Sequence, residues 1–132
     1  MKTHHLILGA LLCAAVHKAG AQAMDGKALF TKNCAACHQA NGKGIPGAFP
    51  ALAGNTLVQG APADVATVLL KGRGGMPDFS ASLSDADIAQ VLSYARSSWG
   101  NKATALSHTE VAALRASLQA AQAGTGRLSN KH

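Results

Sequence analysis

The sequence predicts an all-α domain whose helices surround a centre that the protein's own side chains do not fill. Apolar residues recur at helical spacing in segments that begin at capping residues and end at glycines, and alternating strand patterns are almost lacking. Aromatic residues make up only 4% of the 132-residue chain. Because a chain this short has a small core to begin with, so few rings indicate that something other than side chains occupies the centre.

The first 23 residues are predicted to be a signal peptide that is removed on export. A basic start, MKTHH, precedes the apolar run from Leu6 to Val16, and the residues AQA at 21–23 form a small-x-small cleavage pattern. The run is far shorter than the ~20 residues of a spanning helix, so we expect no transmembrane segment in the mature chain. A retained N-terminal anchor is the alternative. The predicted location is the periplasm.

Two helices are predicted in the first half of a domain at residues 24–101. Asp25 can cap a helix that runs from Gly26 to the cysteines. After a loop rich in Gly and Pro, a second helix is predicted over 62–71, because Pro suits its first turn and Gly72 can end it.

A third helix is predicted to follow Ser84. Ser84 and Asp87 have the spacing of a capping box. The apolar residues that follow recur on one helical face, and they are Ile88, Val91, Leu92, Ala95 and Trp99. Gly100 and Asn101 are predicted to stop this helix, so the domain has three to four core helices.

Residues 102–132 are predicted to form a C-terminal helical extension and a disordered tail. Ser107 and Glu110 make a second capping box, and the apolar stripe behind it is predicted to end at Gly124. The tail from Gly124 onward is polar and terminal, which is typical of disorder.

The segment Cys34-Ala-Ala-Cys37-His38 is C-x-x-C-H, the attachment signature of c-type haem. Cysteines about one helical turn apart can both reach the vinyl groups on one haem edge, and the adjacent histidine can then bind the iron. A thiol–disulfide redox motif or a disulfide in the oxidising compartment is the first alternative. Half of a zinc site is the second, although no further Cys or His pair follows at finger spacing.

Met76 is the predicted second axial ligand of the iron. It stands in a Gly-rich loop followed by Pro77, and glycines let a backbone approach a flat cofactor closely. An isolated Met is otherwise usually core filler. The other candidates are Met24 at the start of the mature chain, His108 in the C-terminal extension and His132 at the end.

Pro50 is the predicted partner of the histidine ligand. A ligating imidazole usually donates its second N–H to a fixed acceptor. The Pro50 carbonyl, twelve residues after His38, is the candidate for its Nδ1 proton. An ordinary proline turn is the alternative.

These motifs together resemble the small bacterial class I cytochromes c. The resemblance covers about Asp25 to Trp99 and rests on the C-x-x-C-H motif, Phe49-Pro50-x-Leu52, the GMPDF segment at 75–79 and the helix that ends at Trp99. It implies the cytochrome c fold with one haem c attached by two thioethers, His/Met ligation by His38 and Met76, and low-spin electron carriage. It also implies that Gly26 and Phe30 pack against Tyr94.

The predicted function is therefore a periplasmic electron-transfer protein and not an enzyme. Its predicted partners are redox proteins, and these are acidic if the flanking cations form a ring around the haem crevice. Those cations are Lys27, Lys32, Lys43, Lys71 and Arg73. No nucleic-acid motif is present, and a monomer or a complex subunit is expected. The alternatives are a cytochrome subunit of a larger periplasmic dehydrogenase, reductase or oxidase, and a haem enzyme or gas sensor with a labile Met ligand.

Overall fold

The computed structural model describes residues 24–129, so the predicted signal peptide and the last three residues lie outside the described part. Within it the chain forms helices and loops but no strand. In chain order the helices are α1 (Gly26–Asn33), α2 (Ala35–His38), α3 (Thr56–Gln59), α4 (Pro62–Lys71), α5 (Asp85–Ser97) and α6 (His108–Ser129). The all-α prediction is confirmed. No helix in residues 24–129 has the length and apolar character needed to span a bilayer.

Helices α1 and α5 cross where a glycine allows close approach. A Cβ on Gly26 would lie 2.3 Å from the Gln90 carbonyl oxygen and 2.8 Å from the Tyr94 Cβ. The Phe30 ring packs beside this crossing, with its centroid 5.6 Å from that of Tyr94 and 5.0 Å from that of Trp99. The packing implied by the resemblance is therefore present.

The core lies between α1, α4, α5 and α6. The Asp25 carboxylate accepts the Ala28 N–H at 2.7 Å and so caps α1 as predicted. The predicted capping box of α5 is also present, because Ser84 and Asp87 each accept the other's backbone N–H at 3.1 Å. Helix α4 has the predicted bounds. The single-turn helices α2 and α3 were not predicted as separate elements.

Helix α5 ends at Ser97, two residues before the predicted Trp99. Trp99 adopts a left-handed backbone conformation with φ of 54°, which a helix cannot continue. Its indole N–H donates to the Ala40 carbonyl at 3.1 Å. A Cβ on Gly42 would lie 2.5 Å from the indole ring. Trp99 therefore leaves the helix in order to join the core to the loop after His38.

The C-terminal helix packs on the domain. Ser107 and Glu110 form the predicted reciprocal cap, with the Ser107 N–H donating to the Glu110 carboxylate at 2.7 Å. The Ser107 hydroxyl also donates to this carboxylate at 2.7 Å, and the hydrogen bonds from the Ser107 hydroxyl and N–H hold the pKa of Glu110 below its usual value. Val111 is completely buried, and Leu114 and Leu118 pack against the core.

The predicted end of this helix at Gly124 is wrong, because α6 continues to Ser129. Glycine costs a helix about 1 kcal/mol relative to alanine, but it does not clash with the preceding turn as proline does. The Thr125 hydroxyl donates to the Gln122 carbonyl at 2.8 Å within this turn. Of the predicted disordered tail, residues 130–132 lie outside the described part.

We expect Gly26→Ala to lower the free energy of unfolding by about 1–3 kcal/mol, because the added methyl group overpacks the α1–α5 crossing. The control is Gly124→Ala, since a Cβ at this helical glycine meets no atom within 4 Å. That change should leave the stability unchanged or raise it by up to about 1 kcal/mol. Urea unfolding measures both, and equal effects of the two substitutions would contradict the close crossing.

Candidate functional site

The two cysteines and the histidine lie on one turn at the junction of α1 and α2. Cys34 is the C-terminal capping residue of α1, and its carbonyl accepts the N–H groups of Cys37 at 3.2 Å and His38 at 2.9 Å. Cys34 is half-buried and Cys37 is exposed, and neither forms a disulfide. Both sulfur atoms therefore remain available for thioether bonds at the spacing that the motif predicts.

Burial raises the pKa of the Cys34 thiol to about 11, and the neighbouring Cys37 contributes to the same shift. The site therefore disfavours a thiolate at Cys34. A low-pKa thiolate is typical of catalytic C-x-x-C motifs, so this shift argues against a thiol–disulfide redox function. An uncharged thioether suits the half-buried position.

His38 presents one free ring nitrogen. Its side chain is buried, at 8% exposure, and its Nδ1 atom lies 2.9 Å from the Pro50 carbonyl oxygen. Because a carbonyl oxygen only accepts, Nδ1 carries the proton and Nε2 has the lone pair. Nε2 has no hydrogen-bond partner among the described residues. Every fully buried side-chain N or O atom in that part of the chain does have a partner, so Nε2 is not fully buried. Nε2 therefore reaches open space, where a metal could bind it.

The loop that carries Pro50 is folded tightly against His38. The Gly44 N–H donates to the His38 carbonyl at 2.9 Å, and Ile45 and Phe49 exchange two backbone hydrogen bonds of 2.8 and 2.9 Å. Gly44 has a positive φ of 62°, and a Cβ there would lie 2.4 Å from the Phe49 carbonyl oxygen and 2.6 Å from that of Pro50. Only glycine fits at this position.

A buried asparagine joins this loop to α5, and its role was not predicted from the sequence. Asn101, 3% exposed, donates to the carbonyls of Leu52 at 3.0 Å and Ala95 at 2.8 Å, and it accepts the Gly54 N–H at 2.8 Å. From the sequence, Asn101 is predicted only to end a helix. No short-range pattern indicates a partner 47 residues away.

A buried arginine, Arg96, was also missed. It is 2% exposed and donates to the carbonyls of Val58 at 2.6 Å, Gly60 at 3.0 Å and Thr104 at 2.7 Å. Arg96 follows Leu92 by four residues and therefore lies on the apolar face of α5, and this spacing could have indicated that its side chain is buried.

Met76 lies in a separate loop between α4 and α5. The backbones of Arg73 and Met76 exchange hydrogen bonds of 3.0 and 3.2 Å across a tight turn. Gly72, with φ of 71°, leaves room for this turn, because a Cβ there would lie 2.8 Å from the Met76 carbonyl oxygen. The Met76 side chain is half-buried and packs against the core. Among residues 24–125, no hydrogen bond joins the Met76 loop to the turn at Cys34–His38.

Apolar surface lies beside the buried histidine. Ile45 and Phe49 are each 40% exposed, which is unusual for side chains of their size. They belong to the loop that carries Pro50, where a cavity of about 320 Å³ is lined by Lys43 and residues 46–51. Phe49 therefore exposes apolar surface one residue before Pro50, whose carbonyl oxygen binds His38.

This donor set fits haem c better than a zinc ion. In the described part of the chain, no group of three or more His, Cys, Asp or Glu side chains could hold a metal ion. Two unpaired thiols one turn apart, one imidazole with a free nitrogen and nearby apolar side chains match a covalently attached porphyrin.

Comparison with known proteins gives the same result. Residues 21–94 match the model of the family described as "Cytochrome C oxidase, cbb3-type, subunit III". Cytochrome c-552 of Thermus thermophilus is 37% identical over 93 residues, which are 58% of this chain and 70% of that protein. The chain belongs to the class I cytochromes c. Haem c, bound covalently, is the cofactor of this family and of this cytochrome, so the predicted fold and cofactor are confirmed.

Other relatives are parts of larger proteins. The chain is 37% identical over 92 residues to the cytochrome c subunit of a quinone alcohol dehydrogenase from Gluconacetobacter polyoxogenes, covering 61% of this chain and 20% of that subunit. It is 37% identical over 89 residues to the cbb3-type cytochrome c oxidase subunit CcoP of Azospirillum brasilense, covering 62% of this chain and 30% of that subunit. The cytochrome thus spans about a fifth of the alcohol dehydrogenase subunits that it matches.

We expect Gly44→Ala to break the hydrogen bond between His38 and Pro50, because the new methyl group displaces the Pro50 carbonyl. The Nδ1 proton of His38 should then exchange with solvent at least tenfold faster in NMR spectra of the reduced protein, which corresponds to the ~1.4 kcal/mol of a lost hydrogen bond. Gly47→Ala is the control, since Gly47 also has a positive φ, 79°, but no atom within 4 Å of a Cβ. Equal exchange rates in the two variants would contradict the proposed role of Gly44.

Proposed function

We propose that this cytochrome is a periplasmic electron carrier. Haem c would be attached through Cys34 and Cys37, with His38 and Met76 as the axial ligands of the iron. The observation that carries the proposal is the state of His38, whose Nδ1 is held by the Pro50 carbonyl at 2.9 Å while Nε2 is left free. The free cysteines lie on the same turn.

The protein's own residues then have distinct tasks. When bound, the haem supplies a one-electron ferric/ferrous couple. The Pro50 carbonyl fixes the ring of His38 and makes its Nε2 a better donor. The thioether of Met76 is a soft ligand, which favours the ferrous state relative to a second histidine. Two protein ligands leave no position for oxygen, which supports electron transfer and not turnover.

Exposed cations support an acidic redox partner. The five basic side chains that the sequence predicts around the haem crevice are all exposed, and they are Lys27, Lys32, Lys43, Lys71 and Arg73. The one ion pair among the described residues joins Arg115 to Asp85, so none of the five forms an ion pair with a carboxylate of this part of the chain. A positive surface of this kind steers encounter with an acidic protein.

A second candidate is a cytochrome subunit of a larger complex. It is favoured by the relatives in alcohol dehydrogenase and cbb3-type oxidase, whose names describe subunits. In that case the cytochrome would stay bound to the protein with which it exchanges electrons. Gel filtration of the native complex from its source would separate the two candidates by mass.

We expect Met76→Ala to open the sixth position of the iron. The variant should lose the low-spin spectrum, show a lower reduction potential and bind carbon monoxide readily in the reduced state at neutral pH, whereas the parent protein should not. Met24→Ala is the matched control, because Met24 is exposed at the start of the described chain. A Met76→Ala protein with the parental spectrum and potential would show that another residue is the ligand. Ready binding of carbon monoxide by the parent protein would favour the enzyme or sensor alternative.

We also expect electron transfer to an acidic redox protein to slow at least tenfold between about 10 mM and 300 mM salt, because salt screens charges over a shorter distance. Stopped-flow oxidation of the reduced cytochrome measures this rate. In the double variant Lys43→Gln with Arg73→Gln, the electron-transfer rate should depend less on salt than in the control variant Lys102→Gln. Lys102 is exposed on the segment between α5 and α6. A rate that does not change with salt would remove the steering proposal.

A further inference from the structure

One side chain of helix α6, that of Arg115, forms hydrogen bonds to the segment that follows the Met76 loop. The guanidinium of Arg115 donates from Nε to the Asp85 carboxylate at 2.7 Å and from Nη2 to the Leu83 carbonyl at 3.1 Å. Its Nη1 donates to the carbonyl of Ser80. All three acceptors belong to residues 80–85, so one residue of the C-terminal extension is hydrogen-bonded along this whole segment.

The geometry of Arg115 favours a strong clamp. Its side chain is 19% exposed and that of Asp85 is 30% exposed, so solvent screens the ion pair less than at an open surface. Hydrogen bonds from a charged guanidinium to carbonyl oxygens are stronger than neutral ones, and the planar group fixes their directions. A lysine could not reproduce this three-acceptor pattern.

The clamped segment is directly continuous with the Met76 loop. Only Pro77, Asp78 and Phe79 separate Met76 from Ser80. On the core side, the Phe79 N–H donates to the Leu69 carbonyl of α4 at 2.8 Å. On the outer side, Arg115 holds Ser80. Loss of the outer attachment leaves the loop held by the Phe79 hydrogen bond, the Arg73–Met76 turn and the packing of Met76, Phe79 and Leu83 in the core.

Local hydrogen bonds transmit this restraint along the loop. The Ser80 N–H donates to the Asp78 carboxylate at 2.6 Å, and the Leu83 N–H donates to the Phe79 carbonyl at 3.0 Å. Residues 78–83 therefore form a compact turn, and a shift of its outer end moves Phe79 and the chain that leads back to Met76.

We propose that Arg115 is a positioning residue for the axial methionine, so that the C-terminal helix determines how firmly Met76 stays on the haem iron. This proposal rests on the proposed function, in which Met76 is the ligand. It assigns the extension a task in electron transfer, because a Met76 that leaves the iron changes both its potential and its access to small molecules.

The test compares Arg115→Met with Leu118→Ala in the haem-loaded protein. Arg115→Met keeps much of the aliphatic stem and removes every donor. Leu118→Ala weakens the packing of α6 on the core but keeps every hydrogen-bond donor of Arg115 to residues 80–85. We expect the reduced Arg115→Met protein to bind carbon monoxide at least tenfold faster than the parent protein, whereas Leu118→Ala binds it at the parental rate although it unfolds at a lower urea concentration. Arg115→Lys should restore only part of the parental behaviour.

Amide hydrogen exchange gives a second readout that does not depend on haem reactivity. The Phe79 amide should exchange at least tenfold faster in Arg115→Met than in Leu118→Ala. Parental rates of carbon monoxide binding and Phe79 exchange in Arg115→Met would overturn the proposal. If Met76→Ala itself binds carbon monoxide no faster than the parent protein, the assignment of Met76 as the ligand fails instead, and this proposal fails with it.

Discussion

The hydrogen bond between His38 Nδ1 and the Pro50 carbonyl, 2.9 Å long, is the interaction on which the rest of this structure depends. It fixes the tautomer of the ring, and it thereby decides which nitrogen can face a metal. It also requires the loop from Gly42 to Pro50 to fold back on α2, which Gly44 alone can permit because any side chain would meet the Pro50 carbonyl. The proposed haem site therefore combines a local motif of five residues with a contact twelve residues away.

The scaffold holds the two sides of that contact from α5. Asn101 ties the carbonyl of Leu52 and the amide of Gly54 to the end of α5, while the indole of Trp99 holds Ala40 on the other side of the loop. Arg96 secures the chain around Val58 with hydrogen bonds to carbonyl oxygens, so its charge is buried without a carboxylate partner. Leaving such polar groups unpaired would be costly. Much of the rigidity of the site therefore comes from side chains other than the cysteines, His38 and Met76 that are proposed to bind the haem.

The sequence was sufficient for those features that short-range chemistry determines. Capping residues located the starts of the helices, as at Asp25 and Ser84, and the family motif together with the acceptor rule for histidine ligands located Pro50. Features that depend on distant contacts were out of reach. Trp99 fits the stripe of α5 perfectly well by periodicity, yet its ring packs on Phe30 and its N–H binds Ala40, so tertiary contacts end the helix at Ser97. Likewise, nothing near Asn101 in the chain indicates its partners in the haem-side loop.

The central claim is that haem is bound to this polypeptide through the sulfur atoms of Cys34 and Cys37. Acid–acetone extraction of the purified protein, followed by intact mass measurement of the pellet, tests it most directly. The account predicts that the colour stays with the polypeptide and that its mass exceeds that of the bare chain by one haem. A colourless pellet with the mass of the bare chain would contradict the account.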